Sequence, residues 1–171
     1  QGQIINGIWV ARGGSGARLI VLLHGLGATA SVWHGVTRQI EARGHRWLAP
    51  DLRGHGRSAS DGPFGLGNHA ADIAGLLAVE AMAQVTVLGH SFGGVVAALF
   101  ASGLFGPVPA QVQTLAVKTD WGADEIAGLQ AMAYRPARLF ASQTEAQERY
   151  MKLAGLTGLI AADAPEAEGG T

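Results

Sequence analysis

Gly89-His90-Ser91-Phe92-Gly93-Gly94 is the stretch whose residue types and spacing bear on chemistry. It follows a short apolar, β-branched run, Val85-Thr86-Val87-Leu88, and precedes a helix-like apolar run, Val95 to Ala101. A strand, a sharp turn and a helix with a serine at the bend form the nucleophile-elbow pattern. The glycines let strand and helix cross closely while the hydroxyl stays exposed. A serine so placed also stands at a helix N-terminus, whose free N–H groups can face an oxyanion. The chemistry predicted is acyl transfer with Ser91 as the nucleophile. In a chain with 26 glycines the spacing G-x-S-x-G also arises by chance in loops, so the strand-to-helix context carries the functional reading.

The elements that must position this serine follow from the apolar pattern. Ile4, Ile5, Ile8, Trp9 and Val10 around Asn6-Gly7 predict an edge hairpin or bent strand, and Arg12 to Gly16 a turn between strands. Leu19 to Leu23 is a continuous apolar run that fits a strand buried on both faces, ending in His24-Gly25-Leu26-Gly27. Ser31 is the candidate N-cap of a helix carrying Trp33, Val36 and Ile40 and closed by Gly44. Arg46 to Pro50 is a second strand, followed by Asp51-Leu52-Arg53-Gly54-His55-Gly56-Arg57-Ser58. Asn68 is expected to cap a helix with Ile73, Leu76, Leu77 and Glu80, and Leu115 to Lys118 to form a strand ending at Thr119-Asp120-Trp121. Beyond it, Ile126, Leu129 and Met132 mark a helix stopped by Pro136. Ser142 with Glu145 is a capping-box signature for another, carrying Tyr150 and Leu153 and closed at Gly155. This alternation predicts an α/β fold, a three-layer α/β/α sandwich on a mostly parallel sheet. Residues 1–121 are expected to be its core, 122–160 the start of a helical cap over Ser91, and 161–171 a flexible tail.

Composition narrows the partners. Twelve basic and 13 acidic residues leave a net charge of -1, which points to neither nucleic acid nor an anionic membrane. The absence of cysteine excludes disulfides, thiolate catalysis and cysteine metal sites. Only 15% of residues are charged, against roughly 25% in an average soluble domain. Some apolar surface is therefore expected to await a partner or further segment. No apolar run approaches the roughly 20 residues of a membrane helix, and Gln1 opens no secretory signal, so a processed start and a cytoplasmic location are expected.

Three signals occur in one order, each after a strand: His24-Gly-Leu-Gly27, Asp51 to Ser58, and Gly89 to Gly94. Together they resemble the α/β-hydrolase superfamily in its esterase, peroxidase-like and carbon–carbon hydrolase branches, over about residues 4 to 120. The resemblance implies that the backbone N–H groups of Leu26 and Phe92 form an oxyanion hole, each donor worth roughly 3 kcal/mol to acyl transfer. It implies no cofactor and no metal. Ser91 excludes the aspartate-nucleophile members of the fold.

The histidines divide by position. His24 and His90 lie in turns, where a neutral imidazole tying down loop backbone is favoured over a base; with Gly25 and Trp33 they are the candidates for substrate contact. His55 is expected to order its own loop, and His34, His45 and His69 to sit on helix surfaces or turns, with no metal-binding spacing. Triad partners in this fold follow the order serine, acid, histidine, yet all six histidines precede Ser91. A serine hydroxyl without a base is a poor nucleophile. The resemblance implies that family members continue through a cap and further strands bearing acid and base, so the chain is expected to stop inside the cap. Asp120 is the local candidate for the acid, against the favoured reading of a strand-end carboxylate, and Asp51 is expected to cap its loop. Two functions stand side by side. One is a serine hydrolase of a small ester or related acyl substrate, completed by a C-terminal fragment, a second chain or a further copy. The other is a catalytically silent member of the fold binding a small apolar ligand, or a truncated non-functional product.

Overall fold

The computed structural model describes residues 2–134, 139–154 and 156–170. Pro136 and Gly155, the expected stops of the last two helices, lie outside the described residues, as does the Leu153 side chain. The described chain begins with a hairpin, β1 (Gly2–Ile5) and β2 (Ile8–Gly14). Asn6 and Gly7 turn it with φ of 50° and 80°, the left-handed pair that a two-residue hairpin requires. Next come β3 (Leu19–Leu23), a 3₁₀ turn (Ala30–Trp33) running into α1 (His34–Ala42), β4 (Arg46–Pro50), α2 (Leu66–Leu77), β5 (Val85–His90), α3 (Phe92–Phe100) and β6 (Gln111–Leu115). The strands form one sheet in the order β1-β2-β4-β3-β5-β6. The hairpin is antiparallel, and β4, β3, β5 and β6 run parallel.

Alternate residues of the central strands explain the three layers. Val21, Leu23, Val85 and Val87 face α2 and α3, packing with Ile73, Leu77, Val96 and Phe100. Leu22 faces the opposite way, into a smaller cluster with Ala30, Trp33 and Ala49 beside α1. Burial on both faces is what the unbroken run Leu19–Leu23 demands. The chain leaves β3 towards β4 on one side and later crosses back to β5 on the other. The crevice outside the C-terminal ends of β3 and β5 is thus where the strand order reverses, a place where such sheets bind ligands.

Several elements depart from expectation. β2 continues through the expected turn to Gly14, because its pairing with β4 persists to Gly14 opposite Arg46. The 3₁₀ turn is capped by Thr29, whose hydroxyl accepts the Ser31 N–H, and not by Ser31. Helix α2 starts at Leu66 after Gly65, with no side-chain cap; Asn68 lies inside it, and Glu80 beyond its end pairs with Arg46 at 2.7 Å. The last strand ends at Leu115, where it was expected to begin. Edge position lets polar Gln111 and Gln113 pair in register with Thr86 and Leu88, and the left-handed Ala116 (φ 52°) breaks the run.

The region after β6 holds α4 (Ala123–Ala133) and α5 (Gln143–Leu153). Ser142 caps α5 as the sequence predicts, its hydroxyl accepting the Glu145 N–H, while the Glu145 carboxylate accepts the N–H of Ala141, one residue before the cap. The expected apolar face of α4 is open, with Ile126, Leu129 and Met132 45%, 43% and 50% exposed. Helix α5 buries Ala146 and Met151 and packs on a closing 3₁₀ turn, Pro165–Gly170, which rests on the Ala30–Trp33 turn. The tail is therefore docked through Ala167, which is fully buried. Helix α1 has no acidic residue in its first turn, and Glu166 supplies one, its carboxylate accepting the Gly35 N–H at 3.1 Å.

Candidate active site

Ser91 sits between β5 and α3 with φ 50° and ψ −117°, a conformation that costs a non-glycine residue roughly 1–3 kcal/mol and persists only where its surroundings over-determine it. Here they do. The Ser91 N–H donates to the Leu115 carbonyl at 2.8 Å, and the Ser91 carbonyl accepts from Gly94 at 2.9 Å and Val95 at 3.1 Å. The glycines of the motif are the price of close crossing: a Cβ on Gly89 would stand 2.2 Å from the Gly93 carbonyl oxygen, and one on Gly93 2.4 Å from that of Leu23. Among the described residues the Ser91 hydroxyl has no hydrogen-bond partner.

The loop after β3 lies against this serine. A Cβ on Gly25 would be 3.4 Å from the Ser91 Cβ and 3.0 Å from Nδ1 of His90, so the residue before Leu26 lies against Ser91. The Leu26 side chain is 66% exposed, and the Phe92 N–H opens α3 without an intrahelical acceptor.

His24 is wholly buried and works as a staple. Its Nδ1–H donates to the Gly25 carbonyl at 2.8 Å and its Nε2 accepts the Leu52 N–H at 2.9 Å, which sets the neutral tautomer. Burial pushes its pKa down to about 3. With both nitrogens engaged, it is loop architecture and has no face for a substrate, a correction to its candidacy for contact. Trp33 is corrected too: it is 6% exposed in the core beside α1, since the 3₁₀ turn directs it at Leu22 and Ala49. His90 is exposed beside Gly25. Asp51 is buried and caps its loop, accepting from Ala30 at 2.8 Å and Arg57 at 3.0 Å. Asp120 stands exposed past the end of β6, because that strand stops at Leu115.

Sequence reasoning missed His69. Placed on a surface, it is 2% exposed, and its ring meets that of Phe92 edge to face at 5.0 Å. The signal was present, since His69, Ile73, Leu76 and Leu77 recur at helical spacing on one stripe. Asp72 on the same helix holds Arg53 of the loop after β4 through two bonds, of 2.6 and 2.9 Å. A cavity of about 740 Å³ lies elsewhere, between Trp9, Trp47, Arg38, Gln143 and Pro165, and Ser91, Leu26 and Phe92 are not in its wall. Helix α5 thus lines a space on the α1 side of the sheet, where its docking on the Ala30–Trp33 turn carries it. Among the described residues no group of three metal-binding side chains is placed to hold a metal ion, and no helix is long and apolar enough to cross a membrane.

The arrangement leaves the Ser91 hydroxyl without a partner among the described residues at the open N-terminus of α3. Comparison with known proteins shows the family. Residues 20–168 match the alpha/beta hydrolase family. An uncharacterized protein of Mycobacterium tuberculosis is 41% identical over 85 residues, 48% of this chain and 24% of that protein. The pimeloyl-[acyl-carrier protein] methyl ester esterase of Edwardsiella ictaluri is 39% identical over 84 residues, 49% of this chain and 31% of that enzyme. Among solved structures, the thioesterase domain from the curacin biosynthetic pathway superposes with a TM-score of 0.77 at 19% identity, over 99% of this chain and 66% of that one, a likeness of fold. The matched stretch spans about a quarter to a third of the length of these two curated relatives.

Proposed function

This chain belongs to the alpha/beta hydrolase family, and we propose that it is the nucleophile-bearing part of a serine hydrolase for a small ester or related acyl substrate. The observation that carries the reading is the strained, over-determined Ser91 at the mouth of α3, its hydroxyl without a partner among the described residues. In the proposed reaction Ser91 Oγ attacks the acyl carbon and its proton passes to a general base. The carbonyl oxygen becomes an oxyanion held by the N–H groups of Leu26 and Phe92. Collapse expels the alcohol, which takes up the proton, and water then releases the acid from the acyl-serine. The esterase likeness supports this substrate class.

No imidazole among the described residues meets the Ser91 hydroxyl, and His24, the buried one nearest in the fold's logic, is committed at both nitrogens. We therefore assign base and acid to residues outside these 171, as the triad order of the fold requires. The 171-residue chain is expected to have little or no esterase activity on an activated aryl ester, at most the residual of roughly a thousandfold over water that survives the loss of a triad member. A fluorophosphonate should nevertheless label it slowly at Ser91 alone, and Ser91→Ala should abolish the label. Labelling spread over surface serines, or none at Ser91, would overturn the nucleophile and favour a silent ligand-binding member of the fold.

A further inference from the structure

Four rings from four separate segments meet behind the elbow. His24, after β3, lies edge-on to His55 of the loop after β4, with centroids 5.0 Å apart; His55 is tilted over Phe92 at 6.4 Å; and His69 of α2 closes on Phe92 at 5.0 Å and 86°. The two backbone donors of the site are tied to this stack: Phe92, which carries one, is a member of it between His55 and His69, and Leu26 lies two residues beyond His24 at one end. We infer that the stack is the positioning device of the oxyanion hole, with His69 and His55 holding the Phe92 backbone in place and His24 holding that of Leu26. The inference rests on the reading of Leu26 and Phe92 as oxyanion donors.

The contacts favour a device over incidental packing. His69 is buried, yet its Nδ1 has no partner among the described residues, so a leucine on the same stripe would fill the place without an orphaned polar atom. What a leucine lacks is a ring to meet that of Phe92 in the near-perpendicular, edge-to-face pair seen here. The loop end is anchored as well: His55 Nδ1 bonds the Arg53 carbonyl at 3.0 Å, and the Arg53 guanidinium is clamped by Asp72 of α2. His24, His55 and Phe92 thus ride on segments fastened to one helix.

Two of the imidazoles, His24 and His69, are held towards the neutral form, with burial the largest cause for each. The groups facing His69 are Asp72, Arg53, His55 and the Phe64 backbone. Burial is the largest influence and pushes His69 below its usual range, while Asp72 opposes and Arg53 and His55 reinforce the shift. His24 faces His55 and His69, which disfavour its charge, the Gly25 carbonyl, which favours it, and the Leu52 N–H, which needs its Nε2 unprotonated. Protonating His24 or His69 therefore works against the packing of the stack.

The test follows backbone amide resonances of Leu26 and Phe92 in the 171-residue chain from pH 7.5 down to the edge of unfolding, together with the rate of fluorophosphonate labelling at Ser91. The expected result is that both amides shift on one common titration. His69→Ala should displace the Phe92 amide at pH 7.5 and slow labelling about tenfold, and His69→Phe, which restores a ring, should recover most of that loss. His55→Ala, at a half-buried position, should displace the Phe92 amide in the same direction and carries the test if His69→Ala does not fold. Leu26 and Phe92 amides that titrate independently, or an alanine variant indistinguishable from His69→Phe, would overturn the device. Absence of labelling in the unaltered chain refutes the nucleophile instead, while the amide titration still decides the stack.

Discussion

The elbow can be challenged with one methyl group. Gly93→Ala puts a Cβ 2.4 Å from the Leu23 carbonyl oxygen and 2.5 Å from that of His24, both backbone atoms that cannot rotate away. Relief requires α3 to lift from β3, but β5, which delivers α3, is paired with β3 through Leu23 opposite Gly89. Overpacking costs about 1–3 kcal/mol when side chains yield, and backbone obstacles place this case at the top of that range. Helix propensity offsets about 1 kcal/mol, leaving a net loss of about 2 kcal/mol. Gly128→Ala in α4 is the matched control, since nothing lies within 4 Å of its would-be Cβ. It should be neutral or stabilising by up to about 1 kcal/mol. Urea unfolding of the two variants should therefore separate them by about 2–3 kcal/mol at unchanged slope. Variants within 0.5 kcal/mol of one another would refute the claim that the α3–β3 crossing is fixed.

Acid should expose His24. With its folded pKa near 3 and an unfolded value of about 6.5, the unfolded chain binds the proton first, so stability falls as pH drops below 6.5, by about 2 kcal/mol at pH 5. His24→Asn should show a shallower slope between pH 6.5 and 5, and parallel slopes would contradict the assignment. Hydrogen exchange should be slow in Leu19–Leu23 and Val85–Leu88 and fast in α4, whose apolar residues are open to solvent; equal protection would place α4 in the core. Light scattering should find association, because β6 leaves an open, largely exposed sheet edge among the described strands, and a monodisperse monomer would count against it.

The sheet was legible because buried parallel strands are written as unbroken apolar runs bounded by glycine: Leu19–Leu23 and Val85–Leu88 could hardly be anything else. The elbow was legible for a related reason, since close crossing leaves a glycine wherever a Cβ would strike backbone. Edge strand β6 was misplaced because its residues answer to one neighbour and to water, and Gln111-Val-Gln-Thr carries no apolar run to betray it. His69 and Trp33 were misjudged because a polar or amphipathic ring states its type but not its direction; the first was buried against Phe92 and the second turned into the core. The docked tail escaped because small and acidic residues signal disorder on average, whereas here one glutamate finds a helix end that lacks an acid.

That contact makes two distant segments of the chain answerable to each other. Glu166 reaches Gly35 across 131 residues, so α1 lacks this acid at its N-terminus until the chain has been made through Glu166. During synthesis the first turn of α1 must be held by water, and closure comes as a late, long-range event. A proteolytic cut between α4 and α5 would sever this tie covalently without removing an atom of it. The helix end and its acid would then have to find each other at the concentration of the fragments instead of the far higher one that the linking chain enforces.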